Sequence, residues 1–183
     1  MRSIYLLLLI CFLWLCYSPD VQGDKPHIEI AKQNIGIPSQ DSIRVWLEFV
    51  GVYHDAPWCA AGLSAWLHQA EVKSPKVRSP LARHFLTRTP KSSHISAGRV
   101  MQGIEIAPEG SLVLLRRGNT IYGHIGITVE DWVGAQGWYI SGNTSPPSSN
   151  GPEHTGGGVW IRSLRINPNS IFRVTDFIIV EYE

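Results

Sequence analysis

Apolar residues recur at helical spacing in the first part of this chain; in the last part they alternate or run in short β-branched and aromatic blocks, with the change near Ala107. The pattern predicts helices first and a sheet second, an α+β arrangement. Ile28, Ala31 and Ile35 share one side of a predicted helix over 26–35 that Gly36 stops. Asp41 or Ser42 caps a second, which carries Ile43, Trp46, Phe49 and Val50 and closes at Gly51. The strongest helical signal covers 59–70. Pro57 suits its entry, and Cys59, Leu63, Trp66, Leu67 and Ala70 keep a three-to-four-residue spacing.

Residues 73–107 mix basic side chains with Ser-Pro steps and predict one short helix after Ser79-Pro80, with Leu81, Phe85 and Leu86 turned inward. Such a connection reads either as a wall of a cleft or as a surface excursion. The strands begin after Pro108-Glu109-Gly110. Residues 111–116 and 122–130 form an antiparallel hairpin around Arg117-Gly118-Asn119-Thr120, and 136–143 is a third strand. A Pro/Ser/Gly-rich loop over 144–158 follows, then strands over 159–166 and 171–182.

The first residues obey a different rule. Arg2 precedes an unbroken apolar run of 14 residues, Ile4 to Tyr17, and Val21-Gln22-Gly23 puts small residues at the cleavage positions before Asp24. That run falls short of the about 20 residues that cross a bilayer. Residues 1–23 are therefore expected to be a signal peptide, and 24–183 one secreted or periplasmic domain. Cys16 invites a lipidation reading, although Leu15 stands where a lipobox has Gly or Ala. Cleavage removes Cys11 and Cys16 and leaves Cys59 unpaired.

Charge changes this picture little. Sixteen Lys+Arg against 15 Asp+Glu give a net charge of +1, and no Lys/Arg-rich run supports nucleic-acid binding. His27, His54, His68, His84, His94 and His154 show no HExxH or paired-ligand spacing, so neither a metal nor another cofactor is expected. Gly156-Gly157-Gly158 leads into a strand, the wrong context for a phosphate-binding loop.

An unpaired cysteine at a helix start points to nucleophilic chemistry, because unpaired helix N–H groups stabilise a thiolate and lower the thiol pKa. In Tyr122-Gly123-His124-Ile125-Gly126-Ile127-Thr128-Val129, alternation puts Ile125, Ile127 and Val129 on one face and His124, Gly126 and Thr128 on the other. His124 is the candidate base. Asn143, ending the next strand, is the candidate that orients the imidazole, with Glu130 and Asp131 as substitutes. It is also a turn former, and Asn143-Thr144-Ser145 matches a glycosylation sequon. Trp58 is a candidate for lining the cleft or for packing, and Asp55, His54 and Tyr53 neighbour the place where a second oxyanion donor is needed.

The Pro57-Trp58-Cys59-Ala60-Ala61 start, the Gly123-His124-Ile125-Gly126 strand and the Gly142-Asn143 strand end together resemble the CHAP family of cysteine, histidine-dependent amidohydrolases and peptidases, and more distantly the NlpC-type cell-wall peptidases. Ile30-Ala31-Lys32 with Gly36, and Pro108-Glu109-Gly110-Ser111-Leu112-Val113, fall where that family has a helix and a Gly-Asp-led strand; Ser111 stands in place of the Asp. The resemblance implies a papain-like α+β fold with N-terminal helices packed on a C-terminal antiparallel sheet. It also implies cleavage of an amide bond in bacterial peptidoglycan through Cys59, His124 and Asn143, with a monomer as the working form and an inhibitor or immunity protein as a conceivable partner. Two other readings keep the fold: a noncatalytic wall-binding or partner-binding module, and a cysteine protease or acyltransferase acting on other substrates.

Overall fold

The structure, a computed structural model, describes residues 25–147 and 156–183; the predicted signal peptide and the middle of the 144–158 loop lie outside the described residues. The helices are α1 (Pro26–Gln33), α2 (Gln40–Phe49), α3 (Cys59–Gln69), α4 (Ala82–Arg88) and α5 (Ala97–Met101). The strands are β1 (His94–Ser96), β2 (Leu112–Arg117), β3 (Gly123–Thr128), β4 (Gln136–Thr144), β5 (Gly158–Arg165) and β6 (Phe172–Ile178). They form one six-stranded sheet in the order β1-β6-β2-β3-β4-β5, antiparallel at every pairing. The protein is a mixed α+β protein.

Three local expectations change. Residues 73–107 hold a second short helix, α5, besides the single one expected. Ser39, not Asp41 or Ser42, caps α2: its backbone is extended and its Oγ accepts the Ser42 N–H at 3.1 Å, which satisfies one orphan donor of the first turn. Asp41 sits inside that turn and pairs with Arg44. The third change is β1, a strand within the predicted connection. Three residues are too few to show alternation, and β1 exists because it pairs with β6, His94 opposite Ile178 and Ser96 opposite Asp176.

Period-two alternation divides the core in two. Leu112, Leu114, Ile125, Ile127, Ile140 and Ile178 share one buried cluster with Ile28, Ala31, Cys59 and Leu63 of the helices. Val113, Leu115, Tyr139, Val174 and Phe177 share the other with Trp132 and with Ala97 and Val100 of α5. Each fully buried Leu or Ile contributes about 2 kcal/mol. Moving any strand by one residue would exchange its two faces, so both clusters fix the register. α3 lies against β3 and β4, which brings its first turn to the middle of the sheet.

Candidate active site

The approach to α3 is set by aromatic packing. Trp58 precedes the helix and is 4% exposed, with its ring centroid 5.3 Å from that of Trp46. Gly142 of β4 lies directly beneath: a Cβ there would come within 2.3 Å of Trp58 Cζ3. Trp58 thus fixes the height of the helix start over the sheet, and the structure assigns it to packing rather than to a cleft wall.

Cys59 opens α3 at 6% exposure. The cross-strand bonds Thr128 N–H to Ser111 and Arg117 N–H to the Tyr122 carbonyl show that even-numbered residues of β3 face β2, so the Ile125 N–H points toward β4. β3 and β4 pair through Ile127 opposite Ile140 and Thr128 opposite Tyr139. The paired ladder ends at Ile127, and the Cys59 thiol lies within reach of the Ile125 N–H. Burial pushes this thiol up to about 11, against the lowering effect of the N–H groups of Ile125, Ala60 and Cys59 itself. The helix start acts in the expected direction, but desolvation outweighs it. In this conformation burial therefore raises the Cys59 thiol above its ordinary value, against the lowering expected from the helix start.

His124 lies on the other face of β3. It is opposite Leu115 in the β2–β3 register, and its ring meets Tyr139 edge-on at 6.3 Å, so it lies on the face of the second cluster. It is fully buried, and its Nε2 is 3.0 Å from Ser141 Oγ. Gly126 makes room here, since a Cβ on it would fall 2.6 Å from Tyr139 Cδ2 and 2.9 Å from Ser141 Cβ. The expected packing of the Cys59 helix on the sheet face that presents His124 is therefore corrected: the thiol lies on the helix face of β3 with Ile125, and His124 lies on the opposite face with Leu115 and Tyr139.

The Nε2 partner is Ser141, two residues before the expected Asn143. Asn143 sits at a β-bulge with left-handed backbone, φ 57°, and its carbonyl accepts the Gly156 N–H at 3.3 Å. Its backbone closes the base of the 144–158 loop, together with Arg162 Nη1, which donates to the Ser145 carbonyl at 2.6 Å. Ser141 was legible: alternation in β4 puts it on the face of Tyr139, and register then points it toward His124.

Asp55 is exposed in the segment between α2 and α3, where Tyr53, His54, Asp55 and Arg44 line a shallow cavity of about 230 Å³. A larger cavity of about 810 Å³, lined by Leu67, His68, Val72 and Arg78, lies at the opposite end of α3. At 1.5 Å per residue, Leu67 is about 12 Å along the helix from Cys59. That cavity is separate from the thiol.

In comparisons with known proteins, the chain matches no family model and no curated protein.

Proposed function

We propose that the protein is a secreted or periplasmic bacterial cysteine hydrolase of papain-like architecture that cleaves amide bonds of peptidoglycan. The observation that carries this reading is the Cys59 thiol at the first turn of α3, held by the Ile125 N–H, one residue along β3 from His124, which pairs with Ser141. The resemblance of the Cys59, His124 and Gly142-Asn143 motifs to CHAP enzymes supplies the substrate class. In the reaction the proton of Cys59 is relayed across β3 to His124 on the opposite face, the thiolate attacks the amide carbonyl, and the amine leaves with that proton. The thioester acyl-enzyme is then hydrolysed by water. Ser141 holds the imidazole through Nε2, so the proton exchanged with sulfur is carried at Nδ1. The Cys59 N–H is one oxyanion donor, and the segment around Asp55 supplies the neighbourhood of a second.

The burial of both residues favours one alternative, a noncatalytic wall-binding or partner-binding module that retains the fold. Mass spectrometry of purified peptidoglycan incubated with the protein and with its Cys59→Ala variant separates the two. New amine or carboxyl ends that require Cys59 support the hydrolase and identify the bond. Walls of several chemotypes left intact by a folded protein overturn it.

A further inference from the structure

The sequence has no Lys/Arg-rich run, yet the fold gathers arginines at one end of the sheet. β6, β2 and β3 are neighbours, and their ends meet there: Arg116 is opposite both Arg173 and Gly123, and Arg117 is opposite Phe172. Arg116 and Arg173 lie on one face of this end, and Arg117 on the other, its guanidinium 5.8 Å from the Phe172 ring centroid. α4 covers the same end, with Ala82 3.7 Å from where a Cβ on Gly123 would be, and it adds the exposed Arg83 and Arg88.

Carboxylates are missing from every segment that builds this end. Residues 72–104, 110–129 and 156–175 contain neither Asp nor Glu. Among the described residues none of these five arginines forms an ion pair, and the Arg116 Nε is buried without a hydrogen-bond partner. Two like charges directly opposite in a ladder repel, so an external anion at Arg116 and Arg173 relieves a cost that the fold carries.

The turns beyond the arginines are apolar. Ile121 and Tyr122 are 53% and 61% exposed in the β2–β3 turn, and Ile171 is 73% exposed in the β5–β6 turn. The Gly118 N–H donates to the Ile171 carbonyl at 3.0 Å, which holds the two turns side by side. Aliphatic and tyrosine tips ringed by arginines match a bilayer interface, where the tips enter the acyl boundary and the guanidinium groups meet lipid phosphates. A soluble anionic polymer would use the arginines and leave the tips in water.

We propose that this end of the sheet docks the protein on a membrane surface rich in anionic phospholipid. The proposal is independent of hydrolysis. Flotation of the full chain with phosphatidylcholine vesicles, and with vesicles carrying 30% phosphatidylglycerol, measures it; the leader is common to all variants, so the phosphatidylglycerol preference is the quantity read. At low salt the preference is expected to be about tenfold or more, since each arginine near such a surface contributes about a fivefold factor. Arg116→Gln with Arg173→Gln should reduce it severalfold, and Ile121→Ser with Ile171→Ser should weaken binding to the phosphatidylglycerol vesicles severalfold, with circular dichroism unchanged. Equal binding to both vesicles overturns the proposal. So does loss in the arginine variant with none in the isoleucine variant, the signature of a soluble polyanion partner. The isoleucine positions are exposed, so their substitution leaves the core intact, and a folding failure of the arginine variant leaves the isoleucine arm decisive.

Discussion

His27 joins the two ends of the described chain: its Nδ1 accepts from the Tyr182 hydroxyl, and its Nε2 donates to the Gly110 carbonyl at 2.8 Å. The fully buried ring holds α1, the loop before β2 and the C-terminal segment at one point. The Tyr182 oxygen could also accept from a protonated Nδ1, so what disfavours the charged ring is its burial rather than the loss of a partner. Burial, with Lys25 nearby, lowers the His27 pKa to about 4 despite the Gly110 carbonyl.

Acid sensitivity follows. The folded-state pKa lies below the unfolded value of 6.5, so the folded chain binds fewer protons between the two. Stability from His27 is complete above pH 6.5 and declines as pH falls toward 4, by about 1.4 kcal/mol per unit and about 3 kcal/mol in all. Urea unfolding at pH 7 and pH 5 should give a clearly lower midpoint at pH 5. His27→Gln should be less stable at pH 7 and lose most of that difference; an unchanged pH slope in the variant would assign it elsewhere.

Cys59 works in the opposite direction. Its pKa is raised from 9.0 to about 11, so the stability tied to the buried thiol is complete below pH 9 and lost as pH rises toward 11. The size is about 3 kcal/mol, and Cys59→Ala should flatten that part of the alkaline profile. Burial of Tyr182 raises its pKa too, so a residual slope above pH 10 is expected in the variant. At pH 7.5 a small alkylating reagent should modify native Cys59 much more slowly than the same thiol in urea. Equal rates would show that the thiol in solution is neither buried nor raised above its ordinary pKa.

Ser141 and Asn143 make a discriminating pair. If Ser141 orients the imidazole, Ser141→Ala should lower the rate of peptidoglycan cleavage by about tenfold to a hundredfold with little change in substrate affinity. Asn143→Ala places a Cβ without a compensating polar group in left-handed backbone and should cost about 1 kcal/mol of stability. Its effect on the rate should be the smaller of the two. A larger loss of rate at Asn143 than at Ser141, in folded variants, would restore the assignment made from sequence. Urea unfolding beside the rate assay separates the two effects.

Much of the fold was written in periodicity. α3 begins at the expected residue, and the two faces of β3 divide as alternation requires, Ile125 and Ile127 toward the helices and His124 toward Leu115 and Tyr139. β1 was hidden because its pairing partner, β6, lies about 80 residues on and three residues carry no pattern of their own. The thiol's ionisation was also hidden. A helix start is local and visible in sequence, whereas burial beneath Trp58 and against β3 depends on how α3 docks. Asn143 reads in the sequence as a strand-ending polar residue, and the bulge between Ser141 and Thr144, which alternation does not announce, changes the strand's register there.

Gly142 gives the sharpest test of that docking. Cys59 reaches the Ile125 N–H because the preceding residue, Trp58, rests its ring on a strand position without a side chain. A methyl group at Gly142 would lie 2.3 Å from Trp58 Cζ3 and 3.0 Å from Cε3, and that ring is held in turn by Trp46, so it has little freedom to yield. Gly142→Ala should destabilise the protein by about 1–3 kcal/mol and lift the start of α3 from β4. Lifting exposes the thiol, so native Cys59 should alkylate faster at pH 7.5 even though the variant is less stable. Gly134, whose added Cβ would meet nothing within 4 Å but whose φ is 81°, supplies the control. Gly134→Ala should cost stability through backbone strain alone and leave the alkylation rate of the folded protein unchanged. Equal acceleration in both variants would trace the effect to general loosening rather than to the contact between Trp58 and Gly142.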